Sequence, residues 1–347
     1  MDQIRNLVFE GGGVKGIAYC GAIKTIEERG ILQNCVRFAG TSAGSISAWL
    51  ASYFKNDVSK IEAIQRKTDF SKFADEDWGI IRDANRVLNR YGWHKGDKFY
   101  EWAQKITKDR FNKSHVTFRE LYDLTGNDLI VVGCNASKGK TVYFSKDLTP
   151  DLFVERAVRI SISIPVYYRA IFIPEKSIDP NGNLMGNPGI DKEIDINRDV
   201  FVDGGVLDNY AIQTFDFSPY IANPVQGEII ENIPGRSPSS YNKSTLGFRV
   251  DSSAEINIGQ IPKDEDQFKA QNFFKYLVGL ADLLHQSANK RHLDPYDWHR
   301  TIRIDTGTIS ATNFALSKDD QDFLIDQGKD ATIKYLDSYQ SDWMNFV

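Results

Sequence analysis

The run Leu7-Val8-Phe9-Glu10-Gly11-Gly12-Gly13-Val14-Lys15-Gly16 constrains this chain more than any other stretch. A short apolar segment breaks into three glycines, and apolar residues then return with helical spacing at Ile17, Ala18, Ala22, Ile23 and Ile26. A buried strand must therefore pass into a helix through a turn stripped of side chains. Such a turn is needed where another group approaches the main chain closely.

The same pattern repeats at once. The spacing predicts a strand over Asn6 to Glu10, a helix over Val14 to Arg29, a strand over Cys35 to Ala39 and a helix over Ser42 to Phe54. Two parallel strands joined by a helix form a right-handed unit whose two strand-to-helix turns share one edge of the sheet. Further strand patterns at 128–134, 141–144, 200–202, 246–250 and 301–304 imply a sheet assembled from distant segments. The fold class expected is α/β, a three-layer α/β/α sandwich around a mainly parallel sheet, in a single domain over residues 1–347. Within it, 55–125 reads as a helical insertion or lid rich in Trp and Phe. The stretch 263–347 supplies helices and a strand that cover the sheet, with helical stripes at Lys263–Asp294 and Asp319–Tyr339. Pro, Gly, Asn and Ser cluster in 174–198 and 218–244, which read as surface loops.

Composition excludes several classes. A formal net charge of -5 argues against a nucleic-acid partner, because phosphate binding needs clustered Lys and Arg. Cys20, Cys35 and Cys134 are too few and too scattered for a disulfide framework and read as buried thiols. No apolar stretch approaches the ~18 residues of a membrane span, and the N-terminus has no signal-peptide pattern. The expectation is a cytoplasmic protein that meets membranes only from outside.

Gly11, Gly13 and Gly16 have the spacing of a dinucleotide-binding turn. That reading also needs an acidic residue at the end of the second strand, where Phe38-Ala39-Gly40-Thr41-Ser42 stands instead. A phosphate-binding P-loop fails as well, since Ile17 occupies the place of its lysine. The second turn reads Gly40-Thr41-Ser42-Ala43-Gly44, the G-x-S-x-G nucleophile elbow in the strand-turn-helix context that the motif requires. The alternative is a small-residue turn with Ser42 as an ordinary helix cap. As a nucleophile, Ser42 would need main-chain donors for the oxyanion, and the bare amides of Gly11, Gly12 and Gly13 can supply them. It would also need a base. Asp203 in Asp199-Val200-Phe201-Val202-Asp203-Gly204-Gly205 reaches the same edge if its strand runs parallel to the others. His285, His292 and His299 keep a Ser-Asp-His triad open as a rival. No cofactor is indicated, and the seven-residue spacing of the histidines makes no metal-ligand cluster.

Taken together these residues resemble the patatin-like phospholipase family. Gly11 to Gly16 is similar to its glycine-rich loop, Gly40 to Gly44 to its elbow, and Asp203-Gly204-Gly205 to its Asp-Gly-Gly motif. Ala157-Val158-Arg159-Ile160-Ser161-Ile162-Ser163-Ile164-Pro165 is similar to a fourth block, and Asn209 stands where an Asn usually follows the aspartate. Lys15 replaces a frequent arginine and Ala211 a frequent proline. The resemblance implies a Ser42–Asp203 dyad without histidine or metal, and a lipid acyl hydrolase of phospholipase A type acting on phospholipid or other acyl-lipid substrates at a membrane surface. Lys15, Gly16, Gly40, Gly44, Gly204, Gly205 and Asn209 would support the site. Partial burial is expected to raise the Asp203 pKa while leaving the group ionised at pH 7. Trp78 and Trp93 are candidates for an interfacial face. A catalytically idle lipid-binding or adaptor protein with the same fold is the other class of function left open.

Overall fold

The computed structural model describes residues 3–68, 70–73, 92–180, 182–188, 197–256 and 293–342. At its centre β1 (Asn6–Phe9) and β2 (Arg37–Thr41) run parallel, joined by α1 (Ala18–Glu28). The first helix does not begin at Val14 as its apolar spacing suggests. A 3-10 turn over Gly13–Ile17 intervenes, because the glycine loop enters the helix with Gly13 at φ 56°. α2 (Ala43–Phe54) follows β2 directly and is buried from Gly44 to Phe54, as a helix that is apolar all round must be.

The sheet then grows on both sides. β4 (Asp128–Asn135) lies parallel to β2 and is buried along its whole length, and β5 (Lys140–Phe144) returns antiparallel along its far edge. On the other side β11 (Thr245–Asp251) pairs parallel with β1, and β12 (Thr301–Asp305) parallel with β11. The remaining members are β7 (Ile171–Pro174) and β8 (Arg198–Asp203), mutually antiparallel, with β8 antiparallel to β4. The result is a mixed, mostly parallel sheet in the order β12, β11, β1, β2, β4, β8, β7.

Alternation along the strands sorts the two faces. Leu7, Phe9, Phe38, Leu129 and Val131 join the main core with α1 and α2, whereas Val8, Ala39 and Ile130 point to a smaller cluster with Tyr210, Ile212, Phe215 and Tyr220. On that second face the described residues place the segment around Tyr210 to Tyr220, with a 3-10 turn over Thr214–Asp216. The stripe at Lys263–Asp294 falls almost wholly outside the described residues, and so does Trp78. Of the 55–125 stretch the structure describes α3 (Val58–Lys67), β3 (Gly92–His94, paired with β6, Val166–Tyr168), α4 (Asp97–Phe111) and α5 (Phe118–Thr125). Their Phe99, Phe118 and Leu121 are buried in the core. The 218–244 loop contains a small hairpin, β9 (Ile230–Asn232) with β10 (Ser240–Asn242), held by the Glu228 carboxylate on Arg37 at 2.8 Å.

Two short helices, α6 (Val154–Ser161) and α7 (Ser253–Ile256), and the brief α8 (Pro295–His299) precede the long helix α9 (Lys318–Asp342), which packs on α1 through two glycines. A methyl group on Gly21 would collide with the Ile325 carbonyl, and one on Gly328 with the Ala18 carbonyl. The helix backbones therefore touch. Gly328→Ala gains about 1 kcal/mol of helix propensity but must spread this crossing, at roughly 1–3 kcal/mol for overpacking against rigid backbone. The expected outcome is a net loss of stability in urea unfolding, with Gly21→Ala behaving alike.

Candidate active site

The turn after β2 is built under strain. Ser42 stands at φ 52°, ψ -125°, a conformation that side-chain-bearing residues seldom adopt and that surrounding structure must impose. Two close approaches impose it. A methyl on Gly40 would run into the Gly44 carbonyl, and one on Gly44 into the carbonyls of Phe9 and Glu10, so the first turn of α2 rests directly on the end of β1. Ser42 occupies the N-cap position of α2, yet its side chain caps nothing. Its hydroxyl donates to the Asp203 carboxylate, Oγ to Oδ2 at 2.7 Å. The reading of Ser42 as an ordinary helix cap is thereby set aside.

Asp203 arrives by a route that strand patterning did not anticipate. A parallel course was the condition set for Asp203 to reach that edge; β8 instead runs antiparallel to β4 and to β7 at the sheet margin. β2 pairs with β4 through Val132, and β8 takes over the same edge at Gly133, which lies opposite Asp203. The two strands thus meet end to end along β4, and Ser42 and Asp203 emerge where they meet. A methyl on Gly204 would press on the Val132 carbonyl and on Thr41, so the approach requires glycine there.

The Asp203 carboxylate is completely buried. Its Oδ1 accepts the Gly205 amide at 2.8 Å, and its own amide donates to the Ser163 carbonyl at 3.0 Å. Burial pushes its pKa up to about 7, against the lowering effect of the Ser42 and Gly205 hydrogen bonds. The upward shift expected of Asp203 is present, and the burial behind it is total where partial burial was expected.

The glycine loop lies beside Ser42. A methyl on Gly11 would stand 3.0 Å from Ser42 Cβ and collide with the Asn209 side chain. Asn209 grips this residue twice, its carbonyl accepting the Gly11 amide and its Nδ2 donating to the Gly11 carbonyl, each at 2.9 Å. Gly11 is consequently not available as an oxyanion donor, contrary to expectation. The amides of Gly12 and Gly13 meet no acceptor among the described residues. Gly16 lies against Ala43 at the start of α2, and the Lys15 amide closes the turn onto the Gly12 carbonyl at 3.2 Å.

Of the histidines, His285 and His292 fall outside the described residues. His299 ends α8 (Pro295–His299) at the opposite edge of the sheet, where it lines a cavity with Ile4, Thr245 and Tyr335. The three cysteines are buried thiols.

Two contributors were given no role by the sequence reading. Ser161, at the end of α6 (Val154–Ser161), accepts the Ser42 amide at 2.9 Å and donates to the Val132 carbonyl at 2.6 Å. It bolts the strained elbow to β4, and Ser163 two residues on anchors Asp203 through its carbonyl. Both lie in the Ala157–Pro165 block, whose pattern marks positions without stating what they touch. Ser161→Ala takes the acceptor from the buried Ser42 amide and a donor from the Val132 carbonyl. We expect roughly 1–3 kcal/mol of lost stability by denaturant titration and slower labelling of Ser42 by a fluorophosphonate. Unchanged values for both would show that the elbow holds itself.

A patatin-like phospholipase family model matches residues 7–216, which takes in the glycine loop, the elbow and Asp203. The chain is 27% identical over 340 residues to the uncharacterized protein YqhO of Bacillus subtilis (strain 168), covering 95% of this chain and 97% of YqhO. It is 24% identical over 208 residues to the probable lipid hydrolase 463L of Invertebrate iridescent virus 6, covering 60% of this chain and 62% of that protein. Among solved structures, VipD of Legionella pneumophila has a similar fold, with a TM-score of 0.56 at 17% identity over 97% of this chain and 67% of that one. With the family model spanning more than half of the sequence, the chain belongs to the patatin-like phospholipase family.

Proposed function

We propose that this protein is a lipid acyl hydrolase of phospholipase A type, cleaving fatty acyl esters of phospholipids or related lipids at a membrane surface, with Ser42 as nucleophile and Asp203 as its base. The observation that carries the proposal is the 2.7 Å hydrogen bond from a strained serine to a buried carboxylate. It lies beside an apolar cavity lined by Ile46, Phe73, Phe99, Ile162 and Tyr168. A polar reactive pair opening onto aromatic and aliphatic walls suits an ester whose acyl part is apolar. Among the described residues no helix is long and apolar enough to cross a membrane.

In the reaction proposed, Oγ of Ser42 attacks the ester carbonyl carbon as its proton passes to Asp203 Oδ2. The carbonyl oxygen takes up the electron pair and is met by the Gly12 and Gly13 amides, each such donor being worth roughly 3–4 kcal/mol in the transition state. Collapse breaks the bond to the alcohol oxygen, which leaves with the proton from Asp203. Water then attacks the acyl-enzyme, Asp203 accepts its proton, and the fatty acid departs as the proton returns to Ser42. No step draws on a metal or cofactor.

Because Asp203 must be ionised to accept the proton, kcat/KM should rise with pH through an apparent pKa near 7 and stay level above it. An acid limb near neutrality is thus the aspartate's own and is no signature of histidine. His285→Ala, His292→Ala and His299→Ala should keep both turnover and that limb; loss of turnover in one of them restores the triad. Asp203→Asn should lower kcat by roughly 10²- to 10⁴-fold. Absence of Ser42 labelling by a fluorophosphonate would instead favour an idle lipid-binding protein.

The same shift has a stability consequence. A carboxylate whose pKa is raised on folding binds its proton more tightly in the native state, so its contribution declines as pH climbs from about 4, the unfolded value, to about 7. The melting temperature of wild type relative to Asp203→Asn should therefore fall over that interval, as read by differential scanning fluorimetry.

A further inference from the structure

The loop between β12 and α9, residues 306–317, lies outside the matched family segment and yet reaches the candidate site. Its Ala311 carbonyl accepts the Val14 amide at 3.0 Å and lies so near Gly13 that a methyl group there would collide with it. Three residues later Phe314 turns into the apolar cavity, forming part of its lining with Gly13, Ser42 and Ile164. Its ring stacks obliquely on Tyr167, centroids 4.7 Å apart. Tyr167 is in turn placed by Val166, whose φ of 71° is a strained setting for a β-branched residue.

The cavity is about 30 Å³, room for one or two waters and too little for an acyl chain. A bound chain must therefore run out through the open side into water or displace part of the wall. Most of the wall is core: Ile46, Phe73, Phe99 and Tyr168 are all buried. Phe70 and Phe314 are the partly buried aromatic members, packed on the core from its margin. Phe314 alone of the two stands on the loop strapped to the glycine turn, and it shares the cavity lining with Ser42.

Resting on the function proposed above, we infer that Phe314 is the residue that sets which acyl chain length this site accepts, by closing the cavity at the side where the chain must extend from Ser42. Truncating it opens a path along Tyr167 for methylenes that the wild-type site leaves in water. Each methylene so covered favours the longer substrate by about fourfold, so a few are enough to invert a preference.

The test compares butyryl and dodecanoyl p-nitrophenyl esters, and butyl and dodecyl fluorophosphonates, on wild type, Phe314→Ala, Phe314→Leu, Phe314→Trp and Phe70→Ala, each checked by thermal melting. The expected result is a dodecanoyl-to-butyryl ratio of kcat/KM that rises at least tenfold in Phe314→Ala, rises less in Phe314→Leu and falls in Phe314→Trp. The two phosphonates should show the same order in their rates of fluoride displacement by Ser42. If Phe314→Ala is unstable, the opposed shifts of the Leu and Trp variants carry the same information. Ratios within twofold of wild type in every Phe314 variant, or a shift confined to Phe70→Ala, overturn the inference while leaving the hydrolase reading intact. Failure of both phosphonates to label wild-type Ser42 removes the hydrolase reading, and this inference falls with it.

Discussion

The structure depends on one contact, the hydrogen bond from the Ser42 hydroxyl to a carboxylate held completely out of water. Neither partner would choose its position alone. The serine backbone is strained, and an ionised aspartate in an apolar setting is disfavoured unless neighbours stabilise it. Each is held from outside: Ser42 by the Ser161 hydroxyl and by the glycines beneath it, Asp203 by the Gly205 amide and the Ser163 carbonyl. Strain and desolvation are concentrated at one place, with the surrounding fold bearing the cost, an arrangement that clusters at functional sites.

The glycines earn a common explanation from this. Gly40, Gly44 and Gly204 let β1, β4 and the first turn of α2 close around the pair at backbone-to-backbone distance, and Gly11 leaves room for Asn209. Bare amides follow as a second consequence: Gly13 lines the cavity, the Gly12 and Gly13 amides meet no acceptor among the described residues, and Gly11 is tied back by Asn209. The groups that come so close to the glycine turn at 11–13 are Ser42 and Asn209 at Gly11 and Ala311 at Gly13.

Much of this was legible beforehand for identifiable reasons. Continuous apolar runs such as Leu129 to Val132 belong to strands buried on both faces, and glycine or small residues at the strand ends mark close-packed turns. Hence β1, β2, β4, β11 and β12, the elbow and the glycine loop could all be read directly. Strand direction could not, because Val200 to Val202 has the same pattern whichever way it runs, and β8 proved antiparallel. Nor could the state of individual main-chain groups: that the Gly11 amide is consumed by Asn209 is a pairing across 198 residues.

The sequence by itself determined which chemical groups exist and which local backbone each occupies: a serine at a strand-to-helix turn, an aspartate before two glycines, a loop without side chains. Local patterning suffices there because φ/ψ limits and apolar periodicity act over a few residues. Only the tertiary structure decided that β2 and β8 meet end to end on one edge of β4, that Asp203 is buried enough to titrate near 7, and that a distant loop brings Ala311 and Phe314 to the site. Those outcomes arise from register, desolvation and long-range packing, and each is a sum over many contacts that no single stretch of the chain encodes.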